Sequence, residues 1–143
     1  MNNMYYFSSR SESNLITCHP ELIFVAREAI RVYDFAVIDG HRDEAKQNGY
    51  FLEGVSRKRW PESAHNSDPS DAMDLVPCPM IQNGVSIWDE KSKVRFFFLA
   101  GVIFQIARVN GINIRWGRDW DRDLDFFDQK FNDLPHFERI AAI

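Results

Sequence analysis

The amino-acid sequence predicts an α+β fold, in which a small antiparallel sheet packs against about three helices. Apolar residues recur at helical spacing in segments at about 20–33, 42–53 and 90–109. Short apolar runs bounded by turn residues predict strands at 35–38, 72–76, 112–116 and 134–140. A length of 143 residues suits one domain with a sizeable core, and no linker or repeat divides the chain.

The first two predicted helices have boundary signals. Pro20 suits the first turn of a helix, and residues 1–12 are predicted to be a polar lead-in. Gly54 is a natural end for the second helix. The third helix is apolar without a break from Phe96 to Phe104, so we expect it to be buried around most of its circumference. That run is about half of the ~20 residues that a membrane span needs, which excludes a transmembrane helix.

The segments between the helices read as strands, turns and two long loops. Asp39-Gly40 ends the first strand, and Gln82-Asn83-Gly84 predicts a hairpin turn before a partner strand at Val85–Trp88. The segments 55–71 and 117–132 are polar and predict loops. Loops of this length within one domain are usually functional or disordered.

Composition excludes several classes of protein. A formal net charge of −4 argues against nucleic-acid binding, and the one basic run, Arg57-Lys58-Arg59, is too short to change that. Cys18 and Cys78 form no disulfide framework. The first seven residues lack the basic and apolar regions of a signal peptide, so we expect the protein to be made and folded in a cytoplasm.

One aspartate in an apolar strand predicts a metal site. Asp74 lies between Met73 and Leu75, and a buried lone carboxylate needs a cation or a metal as partner. His65 precedes it in a polar loop, and His136 lies in a similar setting near the C-terminus. Two imidazoles and one carboxylate form a typical ligand set for catalytic zinc, which leaves one coordination position open. We therefore predict that these three residues hold one Zn²⁺ ion, although either histidine alone would be read as an exposed loop residue.

Other carboxylates compete for roles at this site. Asp68 and Asp71 are alternatives to Asp74 as the third ligand, but both lie in a solvated loop. Asp133, three residues before His136, is the predicted general base, since a carboxylate beside an activated water can accept and then deliver its proton. Glu138 is the other candidate base, because it would share a strand face with His136.

The combination of these motifs resembles a known family. Ser63-Ala64-His65, Ala72-Met73-Asp74 and the terminal segment 133–138, together with Gly40-His41-Arg42, resemble the VanY-like zinc peptidases of the Hedgehog/D-Ala-D-Ala-peptidase fold. Within that group the chain is most similar to single-domain phage endolysins that cleave the L-alanyl-D-glutamate bond of peptidoglycan. The similarity also includes Gln47 and the stretch from Arg115 to Trp120.

The resemblance implies a function and roles for the residues. It makes His65, Asp74 and His136 the zinc ligands, Asp133 the catalytic base, and Arg42 and Ser63 the residues that bind the substrate. It implies hydrolysis of a stem-peptide amide by a zinc-activated water, in one domain with no separate cell-wall-binding domain. The alternatives are a D,D-carboxypeptidase acting on the terminal D-alanine and a non-catalytic zinc-containing domain. We expect a monomer that accumulates in the host cytoplasm and reaches the wall through a holin-type pore.

Several features leave roles open. His41 stands where relatives have an aromatic residue, and Arg118 stands where they often have glycine, which could alter the cleft near Trp116 and Trp120. Those tryptophans either line a substrate groove or pack in the core, which is their commoner use. Aspartates at 121, 123 and 125 resemble a calcium loop, but the glycine and glutamate that an EF-hand needs are absent, so we read a solvated acidic loop.

Overall fold

The computed structural model describes residues 4–141 and confirms the α+β class. Within that range there are four α-helices: α1 Ser9–Leu15, α2 Pro20–Ile30, α3 Glu44–Leu52 and α4 Lys93–Val109. The strands are β1 Phe35–Asp39, β2 Ala72–Pro77, β3 Ile81–Gln82, β4 Val85–Ser86, β5 Ile114–Gly117 and β6 Asp133–Arg139. Two short 3₁₀ helices lie at Ala64–Asn66 and Glu90–Ser92. The predicted elements are all present, with ends shifted by up to a few residues.

Helix α1 begins within the polar lead-in of residues 1–12, of which the structure describes residues 4–12. Ser8 caps the helix by accepting a hydrogen bond from the backbone N–H of Ser11 at 3.1 Å. Leu15 is fully buried in the core, and the Ser11 hydroxyl accepts a bond from the N–H of Val37 on β1. A helix that buries one leucine and one serine shows no apolar periodicity, so the sequence pattern missed it.

The main sheet has four antiparallel strands in the order β1-β2-β6-β5, and β3 and β4 form a separate hairpin. Strand β2 pairs directly with β6, and Asp74 is the register partner of His136. The two halves of the site are therefore held in register within the sheet itself. Hydrogen bonding between neighbouring strands does this, and α4 packs behind β2 and β5.

The core lies between this sheet and helices α1, α2 and α4. Met73 and Leu75 of β2 join it, as do Leu99 and Ile103 of α4. Asp74 lies between these two residues of β2, so its side chain points to the opposite face of the sheet. Helix α4 is buried on one side rather than around most of its circumference, since Phe98 is 56% exposed. Among residues 4–141, no helix has the length and apolar character required to cross a bilayer.

Gly117 lies where β5 and β6 approach most closely, and a methyl group there would clash. An added Cβ would come within 2.9 Å of the Asp133 Cβ and closer still to the Asp133 carbonyl oxygen. At Gly101, on the exposed side of α4, no atom lies within 4 Å of such a Cβ.

We expect Gly117→Ala to lower the free energy of unfolding by about 1–3 kcal/mol, the usual cost of overpacking. Gly101→Ala should leave it unchanged or raise it by about 0.5–1 kcal/mol, because alanine favours the helix. Urea denaturation of both variants measures the difference. Equal stabilities for the two would show that β5 can move away from β6 at little cost.

Candidate metal centre and cleft

Three ligand atoms converge on the face of the sheet opposite the core. Nε2 of His65 lies 3.2 Å from Oδ1 of Asp74, and Nδ1 of His136 lies 3.3 Å from the same oxygen. The three atoms lie within 4.8 Å of one another, and all three residues are buried. A tetrahedral ion with bonds of about 2.0–2.1 Å separates its ligands by about 3.3 Å. The separations of the oxygen from the two nitrogens therefore fit a tetrahedral metal such as zinc.

Each imidazole is oriented by a partner on its other nitrogen. Nδ1 of His65 lies 2.6 Å from the carbonyl oxygen of Gly40 and can donate a hydrogen bond to it. In that tautomer Nε2 is unprotonated and its lone pair is available to a metal ion. Nε2 of His136 faces a carboxylate oxygen of Glu138 at 3.8 Å. Metal-binding histidines usually have such partners, which set the tautomer and the angle of the ring.

The second oxygen of Asp74 is held by Arg42. A terminal nitrogen of the Arg42 guanidinium donates to Oδ2 of Asp74 at 3.0 Å, and Nε donates to Asp39 at 2.6 Å. Lys46 also donates to Asp39, at 2.9 Å. Only Oδ1 of Asp74 is thereby directed at the two histidines. The two carboxylates already offset the charge of Arg42.

The charges at the centre shift the pKa values of the ligands. Burial alone would raise the pKa of Asp74, but attraction to His65 and the close contacts of both imidazoles with its carboxylate hold it well below its usual range. Burial opposes the protonation of His136, yet its contacts with Asp74 and Glu138 outweigh burial and raise its pKa to about 9. Asp74 is thus anionic, as a metal ligand must be.

The two candidate bases differ in environment. Burial, followed by repulsion from Asp74, raises the pKa of Asp133. Glu138 accepts two bonds from Arg115, at 2.9 and 2.7 Å. Although burial works in the other direction, His136 and Arg115 lower the pKa of Glu138 to about 2. Asp133 is therefore the stronger base of the two, and Glu138 is engaged in orienting His136.

A cleft of about 310 Å³ opens beside the ligand atoms. Asp133, Ser63 and Arg42 line it together with His65 and His136, so the predicted site residues other than Asp74 share one cavity. The remaining lining residues come mainly from the segment 55–58 and the chain around Trp120 and Phe131; they are Val55, Ser56, Arg57, Lys58, Ala64, Arg115, Trp120, Phe131 and Glu138.

Ser63 also has a structural task. Its hydroxyl oxygen accepts the backbone N–H of His65 at 3.2 Å, and its own N–H donates to the side chain of Asn66 at 3.0 Å. This reciprocal cap starts the 3₁₀ turn that presents His65. Among residues 4–141 the Ser63 hydroxyl donates to no acceptor, so it is free to donate a hydrogen bond to a bound peptide.

Comparisons with known proteins agree with this site. A family model described as phage L-alanyl-D-glutamate peptidase matches residues 3–140. The chain belongs to this family. The L-alanyl-D-glutamate peptidase of Escherichia phage T5 is 30% identical over 127 residues, which cover 87% of this chain and 88% of that protein. The structure also resembles the crystal structure of the Serratia marcescens L-Ala D-Glu endopeptidase ChiX, with a TM-score of 0.68 and 29% sequence identity. The match covers 95% of this chain and 91% of the ChiX chain.

In this phage-peptidase chain, Gln47 is a residue of the site that reasoning from pattern missed. It is fully buried, and its amide nitrogen donates to Ser56 Oγ at 2.9 Å and to the Lys58 carbonyl at 2.7 Å. Its amide oxygen accepts from Arg42 and Asn66. Gln47 therefore connects the metal centre to the segment 55–58 at the rim of the cleft. A glutamine in a polar helix gives no local signal of this, and only the family resemblance pointed to it.

Other open roles are now placed by the structure. Trp116 is 1% exposed and packs in the core, whereas Trp120 lies 5.4 Å from the His136 ring and lines the cleft. Arg118 lies over the Phe97 ring and is not among the residues that line the cleft. His41 contacts the carbonyl oxygen of Ser67.

The acidic loop is organised around a different aspartate from those singled out in the sequence. Asp119 is buried, and its carboxylate accepts the backbone N–H groups of Asp123 and Leu124. It groups with Asp121 and Asp123, while Asp125 instead accepts the N–H of Phe127. The loop is thus held together by its own backbone hydrogen bonds.

Proposed function

We propose that this phage peptidase hydrolyses the L-alanyl-D-glutamate bond of peptidoglycan stem peptides, with one zinc ion held by His65, Asp74 and His136. The observation that carries the proposal is a pair of imidazole nitrogens, each at a tetrahedral separation from one oxygen of Asp74, beside a carboxyl group of raised pKa, in a chain that matches the peptidase family along its length. The donor set is that of catalytic zinc, since three protein ligands leave one position open, whereas structural zinc is closed by four.

The residues of the chain divide the chemistry among them. A zinc ion held here would polarise the scissile carbonyl and lower the pKa of a water molecule to near 7. Asp133 accepts the proton of the attacking water and then delivers it to the leaving nitrogen, so its raised pKa suits both steps. Ser63 and the N–H groups of Arg42 that are not bonded to Asp39, Gln47 or Asp74 donate to the peptide backbone.

The first test is hydrolysis of purified peptidoglycan with and without a chelator. We expect one metal ion per chain, loss of all activity on chelation, and recovery with Zn²⁺. Analysis of the released muropeptides should show new D-glutamate amino termini. Free D-alanine would instead indicate a D,D-carboxypeptidase. Bound zinc without hydrolysis would indicate the non-catalytic domain.

The family membership also suggests how the protein reaches its substrate. Our proposal includes accumulation in the host cytoplasm and release through a holin-type pore. Expression in bacteria without such a pore should leave cells intact until the membrane is permeabilised. Lysis before permeabilisation would contradict this part of the proposal and leave the chemistry unaffected.

A further inference from the structure

Three arginines line the cleft, and two of them are already engaged. Arg42 bonds to Asp39 and Asp74 and to the side chain of Gln47. Arg115 donates twice to Glu138 and once to a backbone carbonyl. The charge of each is offset by at least one carboxylate at hydrogen-bond distance. Neither is therefore well placed to bind a further anion.

Arg57 is the arginine of the cleft that is held in place without a carboxylate partner. Its guanidinium carbon lies 4.2 Å from the centre of the Phe131 ring, and the residue is exposed. Among residues 4–141 it forms no ion pair. A guanidinium stacked on a ring keeps the N–H groups at its edges free, so Arg57 can bind a carboxylate with two parallel hydrogen bonds.

The position of Arg57 is set by the buried machinery of the site. The residues on either side of it, Ser56 and Lys58, are both bonded to the amide nitrogen of Gln47. Phe131, on which it stacks, lies two residues before Asp133. The guanidinium therefore stands at the wall of the same cleft that Asp133 lines, the residue proposed to deliver a proton to the leaving nitrogen.

The substrate places an anion next to that nitrogen. In a stem peptide, D-glutamate continues the chain through its γ-carboxyl group, so its α-carboxyl group is either free or amidated. The α-carboxyl group and the scissile nitrogen are attached to the same carbon atom. A cleft that cuts the L-alanyl-D-glutamate bond must accommodate this group close to Asp133, and a free carboxylate there needs a cation.

We propose that Arg57 binds the free α-carboxylate of the D-glutamyl residue and makes the enzyme selective for stem peptides that are not amidated there. This inference rests on the proposed function. Lys58 also lines the cleft, but among residues 4–141 no ring holds its side chain, and an ammonium group cannot form the paired bonds. Arg57 is thus a specificity-determining residue that contacts substrate.

The test compares two synthetic muropeptides that differ only in whether this α-carboxyl group is free or amidated. We expect the zinc-loaded enzyme to prefer the free acid in kcat/KM. Arg57→Gln should lower kcat/KM for the acid by roughly 10- to 100-fold, the usual effect of losing a charged hydrogen-bond pair. It should leave the amide within about two-fold, so hydrolysis of the amide shows that the variant is folded. For the acid, Arg57→Lys should have a kcat/KM between that of the parent enzyme and that of Arg57→Gln.

Arg59→Gln is the matched control for the loss of one positive charge. Arg59 belongs to the same basic run, but it stacks on Phe51 at 4.5 Å and does not line the cleft. This variant should keep the preference of the parent enzyme. An equal loss in Arg59→Gln would mean that the overall charge of the rim attracts the peptide, and would overturn the assignment to Arg57.

Binding separates this proposal from the proposed function. Calorimetry with the zinc-loaded Asp133→Asn protein should show tighter binding of the acid than of the amide, and Arg57→Gln should remove the difference. Hydrolysis without that difference overturns the carboxylate site and leaves the peptidase function standing. If the protein binds the acid more tightly than the amide but the parent enzyme hydrolyses neither, the carboxylate site stands and the peptidase function is overturned.

Discussion

Replacing Asp133 with asparagine is expected to lower kcat/KM for peptidoglycan hydrolysis by about 10²- to 10⁴-fold, the range typical of a lost general acid–base group. Asparagine keeps the shape of the side chain and removes its ability to accept a proton. Asp133 is not among the three ligand atoms, so metal content should stay at one ion per chain. Metal analysis and turnover of the same protein sample measure both quantities.

Asp68→Asn is the matched control. Asp68 is an exposed aspartate of the loop that follows His65, and it does not line the cleft. It was also a competitor for the third ligand position, so retained metal and full activity in this variant would remove it from both roles. Full activity in Asp133→Asn would refute the assignment of the base, and loss of metal would make Asp133 a ligand.

Glu138→Gln distinguishes the rival base from an orienting role. Glu138 holds Arg115 and faces the ring of His136. Its loss should weaken zinc binding by about 10- to 100-fold, as for other residues that orient metal ligands. At saturating zinc, hydrolysis should largely return, which would not happen if Glu138 transferred the proton.

The three residues of the candidate metal centre could be predicted because their signals are local. An aspartate inside an apolar strand is anomalous by itself, and the histidines have polar neighbours, His65 in a loop and His136 in the predicted last strand. The structure brings the three together as ligand atoms. Their juxtaposition could not be derived from the pattern, because Asp74 and His136 are 62 residues apart and meet through strand pairing. Pairing over that distance has no local signal.

The position of Asp133 shows a second limit. Simple alternation along β6 would place Asp133 and His136 on opposite faces of the sheet. The ladder between β5 and β6 is irregular, however, since Trp116 pairs with Phe137 while the next residue, Gly117, pairs with Asp133. The extra residues turn Asp133 into the cleft. A bulge of this kind depends on the partner strand, so the sequence of β6 alone does not reveal it.

Arg42 has a structural role in addition to the substrate-binding role predicted for it. The resemblance implied that it binds substrate, and the structure shows a buried guanidinium between two carboxylates. Asp39 and Asp74 are register partners on neighbouring strands. Without Arg42 the two negative charges would face each other in a site that water hardly reaches. Its first effect is therefore on the stability of the site.

We expect Arg42→Met to lower the free energy of unfolding of the metal-free protein by about 3–5 kcal/mol, the usual cost of removing one partner of a buried ion pair. Arg27→Met is the matched control, because Arg27 makes two hydrogen bonds of 2.9 Å to Glu12 at the surface. Exposed pairs of this kind contribute about 0–1 kcal/mol. Urea denaturation in the presence of a chelator compares the two variants.

Zinc titration of Arg42→Met then separates stability from positioning. With Oδ2 of Asp74 no longer held, its carboxylate can rotate, and zinc affinity should fall by about 10- to 100-fold. Arg27→Met should bind zinc as the parent protein does. If Arg42→Met costs no more stability than Arg27→Met, Lys46 alone neutralises Asp39 well enough to keep the strands paired. The ion pair of Arg42 with Asp74 would then serve only to direct the ligand oxygen.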